Sequence, residues 1–271
     1  MTTITDGLIL NLDLSQPPVD GKITDNSGND HHATIHGGVT SVADPTFGRC
    51  VALDGQDGSY LQLDPMTIDY SGGFTVEAFV WYESFNKWSR VIDFGNGTAD
   101  LNLVLNNTAD TNGIEFVTYF APGEYNIMSK GDVLEVGRWM QLVATIDNHG
   151  QAMLYKNALA ILEQPPSMRT PVSSERTKLY IGKSNWAPDQ HFHGRIGGLR
   201  IYNRALTPQE IWRSYASSRT TTFRSSHPVN FRLDDANGNA TIYLAGLHNQ
   251  ADQKLNLDII NTSGTDLYWG D

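Results

Sequence analysis

Cysteine is almost absent from this sequence, since Cys50 is the single one among 271 residues. No intramolecular disulfide can form, and the cysteine content leaves the redox compartment open. Cys50 lies in the alternating run RCVALDG. We therefore expect a small buried apolar side chain at this position, with a reactive thiol as the alternative.

Basic residues and long apolar runs are also scarce. The chain has 19 Lys and Arg against 30 Asp and Glu, a formal net charge of -11, which repels a nucleic-acid backbone over most of the surface. No run of about 18 apolar residues is available to span a bilayer. The opening stretch MTTITDGLILNLDLS lacks the basic and then apolar pattern of a signal peptide. We expect neither nucleic-acid binding nor membrane insertion.

Short runs of alternating apolar and polar residues dominate the first three quarters of the chain. They are separated by clusters of Gly, Asn and Asp, which form turns. This pattern is typical of an all-β sandwich or barrel with very little helix. The runs are residues 8–14, 50–55, 60–63, 74–82, 88–95, 101–106, 113–120, 139–147, 152–157, 179–182 and 194–203.

One short helix is predicted after the last of these runs, in the stretch TPQEIWRSY. Thr207 can cap it, Pro208 suits the first helical position because it has no amide hydrogen, and Glu210 completes a capping box. Ile211, Trp212 and Tyr215 then lie at helical spacing, and we expect them to pack the helix on the sheets.

The chain is predicted to contain two folded parts. Residues 1–216 form the sandwich, and the Ser/Thr/Arg-rich stretch 217–228 is a linker by composition. Residues 229–271 form a small β unit, which is either a truncated second domain or a strand unit that docks on a partner. We expect four strands in this unit, at 229–233, 240–247, 254–260 and 266–269. A unit of this size buries little apolar area by itself. We therefore expect it to pack against another protein surface.

Several motifs in this order resemble the concanavalin A-like, laminin G-like jelly-roll modules, which include pentraxin-like domains. They are LILNLDL, DNSGNDHHATIHGGVT, GGFTVEAFVWY, GRWMQLVATIDNHGQAMLYKNA and YIGKSNWAPDQHFHGRIGGLRIYNRALTPQEI, and the resemblance covers roughly residues 5–215. It implies an antiparallel β-sandwich with one C-terminal helix. It also implies a recognition module of a larger extracellular or cell-surface protein, with glycan or protein ligands.

The resemblance also implies a structural calcium ion. Related modules carry Ile-Asp-Asp or Ile-Asp-Glu where this chain has Ile196-Gly197-Gly198, so a metal-binding carboxylate is missing. Calcium takes six to eight oxygens. Those still offered near the matching loop come from Asp13, Asp25, Asn26, Asn29 and Asp30. The alternative is that DNSGND is an Asx turn and that the glycines mark a bulge or a close backbone approach.

One turn detail follows from the comparison with the family, and one strand detail follows from the alternation of residues alone. Asn157-Ala158 stands where related modules have Asn-Gly, which predicts a wider or displaced turn with Asn157 alone at positive φ. In the run 139–147 one face carries Gln141 and Thr145, and we expect this face to meet water or a groove.

Catalytic chemistry has little support in the sequence. Glycosidases on this fold need two carboxylates on one strand face, but Glu77 shares its face with Thr75, Phe79 and Trp81. The compact pair His191-x-His193 could bind metal or sugar, and a loop pair at the solvent edge is the simpler interpretation. We expect no catalytic residue and no enzyme activity, and a polysaccharide-active enzyme is the third alternative.

Aromatic side chains in loops are the best binding candidates, because sugar rings stack on them while neighbouring amides and acids bind hydroxyls. Trp186 with Asn185, Asp189 and His191 is the first choice, and simple loop packing is the alternative for Trp186. Tyr125, Trp88 and Tyr82 are second choices, whereas Trp81 and Trp139 are expected to cover a sheet. The sequence thus predicts a noncatalytic recognition module. The alternative is an assembly module whose sandwich and terminal strands join subunits into a homo-oligomer or a larger assembly.

Overall fold

The computed structural model describes residues 4–163 and 166–218, together with the backbone of residues 230–234 and 239–243. The chain divides into two units, residues 1–221 and 222–271. None of the helices in the described part has the length and apolar character that crossing a bilayer requires.

The first unit is a sandwich of two antiparallel sheets. Sheet A has the strand order β15-β14-β13-β8-β18-β5-β4, with β1 also paired to β18, and sheet B has the order β12-β11-β10-β9-β17-β6-β3-β2. The strands of sheet A are β1 (Leu8–Leu12), β4 (Thr40–Asp44), β5 (Gly48–Asp54), β8 (Gly73–Tyr82), β13 (Trp139–Asp147), β14 (Ala152–Lys156), β15 (Leu159–Ala160) and β18 (His193–Tyr202). The strands of sheet B are β2 (Lys22–Ile23), β3 (Ala33–His36), β6 (Tyr60–Leu63), β9 (Arg90–Gly95), β10 (Leu103–Asn107), β11 (Ile114–Ala121), β12 (Glu124–Lys130) and β17 (Lys178–Ile181). A separate pair joins β7 (Met66–Ile68) to β16 (Ser174–Arg176).

The inner faces of the two sheets form one apolar core, as alternation predicts. On β13 the inward residues Met140, Leu142, Ala144 and Ile146 are 0–1% exposed. Cys50 is fully buried, and burial raises the pKa of its thiol to about 11, which fits the predicted role of a small core side chain.

The outer face of sheet A is covered rather than open. Ile211 of the helix α1 (Pro208–Ser218) packs with Val143 and Tyr202 on this face, while Tyr215 is buried and Trp212 is half-buried. The prediction that Gln141 meets water or a groove was wrong, because Gln141 is 1% exposed and its amide donates to the carbonyl of Ile211. Trp139 also covers the sheet as expected, packing against Phe47 with its Nε1–H donated to Asp44.

The start of α1 has the predicted capping box. The backbone N–H of Thr207 donates to Glu210 Oε2 at 2.8 Å, and the N–H of Glu210 donates to Thr207 Oγ1 at 3.3 Å. Arg204 binds the same carboxylate through two nitrogens and lowers the pKa of Glu210 from 4.5 to about 2. The start of the helix is therefore tied to the segment that follows β18 (His193–Tyr202).

The turn between β14 and β15 differs from the prediction. It is a tight two-residue turn in which both Asn157 (φ 52°) and Ala158 (φ 65°) have positive φ. The N–H of Ala158 donates to Gln141 Oε1 and the N–H of Gln141 donates to Asn157 Oδ1. These bonds from the neighbouring strand hold Ala158 in a conformation that usually selects glycine.

The two adjacent glycines of β18 have the structural explanation expected for glycine in a strand. The pairing of β18 with β8 shifts register between Ile196 and Gly198, which is a β-bulge. A Cβ at Gly197 would lie 2.7 Å from Cδ2 of Phe47. Gly197 is therefore required by the close approach of an aromatic ring.

The described backbone of the second unit is one antiparallel hairpin, β19 (Asn230–Asp234) with β20 (Asn239–Tyr243). These strands correspond to the first two that the sequence predicts there. The strands predicted at 254–260 and 266–269, and nearly all of the predicted linker 217–228, lie outside the described residues.

Candidate functional site

Two tyrosines and a tryptophan form an aromatic cluster on the outer face of sheet B. Tyr119 and Tyr125 are directly opposed on β11 and β12, with ring centroids 5.4 Å apart. The Trp186 ring lies 5.1 Å from Tyr119. Tyr125 is 52% exposed, and Tyr119 and Trp186 are half-buried. We call Tyr119, Tyr125 and Trp186 the aromatic platform.

Trp186 reaches this face because its loop, residues 183–191, is fixed onto β9. The backbone N–H of Asn185 donates to Asp93 Oδ2 at 2.8 Å and its side-chain amide donates to Asp93 Oδ1 at 2.9 Å. Farther along the loop, Gln190 exchanges two hydrogen bonds with the backbone of Lys87. The platform is therefore held by bonds at several points of the loop rather than by one contact.

Arg90 and Asp189 form the charged support beside the indole. Arg90 Nη2 lies 2.7 Å from Asp189 Oδ2, with the two side chains only 8% and 12% exposed, and its Cζ lies 5.4 Å from the Trp186 ring centroid. The hydroxyl of Ser184 donates to Asp189 and accepts the N–H of Trp186. These contacts fix the direction in which the indole faces.

Asp93 is the buried acid beneath the loop. It is fully buried, and burial raises the pKa of its carboxyl, whereas Arg90 at 3.8 Å and the amides of Asn185 and Asn102 favour the charged form. Glu115 on β11 is 6% exposed, and burial raises its pKa too. Both acids beside the platform are thus nearly or fully buried and are held by amides of the protein.

The predicted binding residues of this loop have two kinds of position: Trp186 is part of the aromatic platform, and Asn185 and Asp189 support the loop. Tyr119 lies between Trp186 and Tyr125 and contacts both rings. Asn185 and Asp189 are committed to Asp93 and Arg90, which makes them supports of the loop. Asn185, Asp189 and Trp186 lie together in this loop, and a ligand-binding role for them stays a prediction.

His191 lies apart from the platform. Its ring is 6.3 Å from Tyr60, its Nδ1 is 3.5 Å from Asp57, and among the described residues neither ring nitrogen has a hydrogen-bond partner. Burial lowers its pKa. His193 lies on β18 in sheet A with Nδ1 2.9 Å from Ser84 Oγ. The two imidazoles therefore have different partners.

Two other predicted binding residues are not part of the platform. Tyr82 was a wrong choice, because it is fully buried in the core between Phe85 and Phe192 and cannot reach a ligand. Trp88 is half-buried and has a positive φ of 54°. Its backbone N–H donates to the carbonyl of Ala109. No ring contact among the described residues joins Trp88 to the platform.

The residues proposed for calcium do not fit that ion as they are arranged. Asp25 accepts four donors with its two oxygens, Asp13 accepts Ser15 and Asn26, and the amide of Asn29 donates to the carbonyl of Ile9. Asp30 is exposed at φ 59°. Among the described residues there is no group of three or more His, Cys, Asp or Glu side chains that could hold a metal ion.

Glu77, the one acid on its strand face, has a structural environment. It is fully buried, with Oε2 3.0 Å from Arg200 Nη1 and Oε1 accepting the amide of Gln141. It lies in sheet A, on the opposite side of the sandwich from the platform. No second carboxylate faces it from β8, as the sequence predicts.

Sequence reasoning missed Tyr119, Arg90 and Asp93. A signal was present, since Tyr119 and Tyr125 flank the FAPGE turn and so form a cross-strand pair when the turn is a hairpin. Arg90 and Asp93 are charged residues in a strand that is otherwise apolar. The role of these two residues depends on which loop covers them, and the sequence pattern does not identify that loop.

A comparison with protein families and with known proteins finds one matching family. The model of the concanavalin A-like lectin/glucanases superfamily matches residues 54–212. No curated protein sequence matches the chain.

Similar solved structures have low sequence identity and a common architecture. One is domain 4 of AbnA, an extracellular GH43 arabinanase from Geobacillus stearothermophilus, in complex with arabinotriose. It is 19% identical with a TM-score of 0.60, over 76% of this chain and 97% of that domain. The binding domain of Paraclostridial Mosquitocidal Protein 1 is 17% identical (TM-score 0.59), over 79% of this chain and 52% of that one.

A third is the binding domain of botulinum neurotoxin DC in complex with SialylT, which is 14% identical with a TM-score of 0.60, over 81% of this chain and 53% of that one. The chain thus spans about half the length of the two toxin binding domains. With the family match covering more than half of its residues, the chain belongs to the concanavalin A-like lectin/glucanases superfamily.

Proposed function

We propose that the sandwich is a noncatalytic carbohydrate-binding module and that its ligand stacks on the aromatic platform of Tyr119, Tyr125 and Trp186. The observation that carries the proposal is the platform itself, three adjacent rings on one sheet face with ring spacings of 5.1 and 5.4 Å. Sugars present apolar C–H faces that pack on such rings.

The support beneath Trp186 favours binding over simple loop packing. Arg90, Asp93 and Asp189 hold the loop from below with side chains that are nearly or fully buried, so little conformational freedom remains to be lost when a ligand binds. Solved relatives captured with arabinotriose and with SialylT make oligosaccharides the first ligands to test.

A noncatalytic role is supported by the state of Glu77. Its carboxylate is buried and bonded to Arg200 and Gln141. Both of its oxygens are therefore used in structural contacts. We place the module in an extracellular or cell-surface protein, by analogy with the secreted arabinanase to which it is similar.

The test is a glycan array followed by titration of any ligand found, arabinan fragments and sialylated glycans included. Trp186→Ala should weaken binding by about tenfold or more, because removing an aromatic anchor costs about 1–2 kcal/mol or more. Tyr125→Ala should weaken it less, since that ring is at the edge. Leu159→Ala is the matched control, because Leu159 is 64% exposed on sheet A and should leave affinity unchanged.

Assembly is the second candidate, and one observation favours it. β12 is at the end of the sheet B strand order and exposes Tyr125 and Ile127 by 52% and 47%. An edge strand of this kind can pair with another chain. A mass that rises with protein concentration and falls in Ile127→Lys, with no glycan bound on the array, would replace the carbohydrate proposal.

A further inference from the structure

Gly197 and Gly198 lie at a gap in sheet A. β18 pairs with β5 as far as Ile196 and with β1 from Leu199 onward, so the glycines lie between the ends of those two strands. A cavity of about 390 Å³ opens there, and its lining includes Asp13, Asn26, Phe47, Gly197, Gly198 and Arg200. This is the position on β18 where the resemblance implied a metal-binding acid.

Phe47 fills the space that a side chain at 197 would need. The ring is 8% exposed and is held between Phe79 at 5.5 Å and Trp139 at 4.7 Å, so it has little room to retreat. A Cβ at Gly197 would meet three of its ring carbons at 2.7–2.9 Å. An acidic side chain at position 197 would therefore collide with the Phe47 ring.

Each carboxylate oxygen of Asp25, the buried acid of the facing loop, accepts two hydrogen bonds. Its Oδ1 accepts the backbone N–H groups of Asn11 and Ser27 at 2.8 and 2.9 Å. Its Oδ2 lies 2.7 Å from the hydroxyl of Ser27 and accepts the N–H of His31 at 3.0 Å. Four donors saturate one carboxylate, which is the environment of a hydrogen-bonded Asx loop and not of a calcium ligand.

The same loop is hydrogen-bonded directly to β1. Asn11 exchanges bonds with it, donating its N–H to Asp25 and accepting the N–H of Asn26 at 2.8 Å. The amide of Asn29 donates to the carbonyl of Ile9 at 2.9 Å. The loop and the N-terminal strand are thus joined by direct hydrogen bonds.

Arg200 supplies the positive charge of this region. Its Nε lies 3.2 Å from Asn11 Oδ1 on β1, and its Nη1 lies 3.0 Å from Glu77 Oε2 on β8 and 2.9 Å from Ser214 Oγ on α1. Arg200 is 5% exposed and Glu77 is fully buried. One guanidinium therefore joins the first strand, the middle of sheet A and the last helix.

We infer that this chain has replaced the calcium link implied by its family with a metal-independent clamp, formed by the Asp25 loop, the Phe47–Gly197 contact and the Arg200–Glu77 pair. The clamp holds β1 and α1 on sheet A. The inference is independent of the proposed glycan site, which lies on sheet B.

The first experiment compares melting temperatures of the chelator-stripped full chain with and without added calcium. The clamp predicts the same melting temperature in both buffers and no calcium in elemental analysis of the purified protein. A resident ion at a hundred times its dissociation constant would raise the melting temperature by about 5–10 °C. A rise of that size, or one calcium per chain, would overturn the inference.

The second experiment locates the clamp by hydrogen exchange of the β1 amides. Asp25→Asn places an amide group against backbone N–H donors, so β1 should exchange faster in both buffers. Asp30→Asn, an exposed change in the same loop, is the matched control and should match the wild type. Calcium-dependent protection of β1 in the wild type, or equal exchange in both variants, would contradict the clamp.

Discussion

Asp93 and Asn185 are joined by two hydrogen bonds, one from the backbone N–H at 2.8 Å and one from the side-chain amide at 2.9 Å. Asp93 belongs to a sheet strand and Asn185 to the loop that carries Trp186. The bonds therefore connect a buried acid to the position of an indole ring, although the acid itself contacts no ligand.

Asp93→Asn tests this positioning role. An amide in place of the carboxylate sets one N–H group against the donors of Asn185 and Asn102, and losing a buried charged hydrogen bond costs about 1.5–3 kcal/mol. We expect a lower melting temperature and weaker binding of the glycan identified on the array. Asp100→Asn, an exposed change beside the same strand, should alter neither.

The affinity measurement also separates positioning from general damage. If Asp93 acts through Trp186, adding Asp93→Asn to Trp186→Ala should cause no further loss of affinity. Additive losses would show that Asp93 affects binding by another route.

Gly197→Ala should destabilise the sandwich through the contact with Phe47. The added methyl overpacks a buried aromatic cluster, which costs about 1–3 kcal/mol of unfolding free energy. Gly198→Ala is the matched control, because its Cβ would meet Phe79 at an ordinary 3.6 Å. Denaturant unfolding gives both values, and a smaller penalty for Gly197→Ala in a Phe47→Leu background would identify the contact responsible.

Ala158→Gly should stabilise the protein. Ala158 has a φ of 65°, and a left-handed conformation costs a residue with a Cβ about 1–2 kcal/mol, partly offset by the greater freedom of glycine in the unfolded chain. We expect a net gain of about 0.5–1 kcal/mol in chemical unfolding. Ala160→Gly, in the exposed strand β15, should give no gain, and a loss in Ala158→Gly would contradict the argument.

Glu210 should make stability depend on acid pH. Its bond with Arg204 lowers the folded-state pKa from 4.5 to about 2, so its contribution is complete above the unfolded pKa and disappears as pH falls through the folded value. Melting temperatures between neutral pH and about pH 2.5 should fall less steeply in Glu210→Gln than in the wild type. Glu163→Gln, an exposed change outside the helix and the strands, is the control and should follow the wild-type curve.

Local sequence chemistry accounts for the parts of the fold that depend on near neighbours. The alternation in 139–147 correctly placed Met140 and Leu142 inside, and Thr207 with Glu210 correctly marked the helix start. Sequence reasoning failed where a distant element decides. Gln141 is buried because a helix some 70 residues later covers it, and β12 escaped notice because, as an edge strand, it buries only Met128.

The sequence by itself determined the sandwich, its family and the absence of a second acid beside Glu77, because periodicity, caps and motif order are properties of adjacent residues. Only the tertiary structure decided that Trp186 lies against Tyr119, that Tyr82 is in the core and that Phe47 covers Gly197. These contacts join residues far apart in the chain. Their geometry depends on strand order and loop path, which no local pattern specifies.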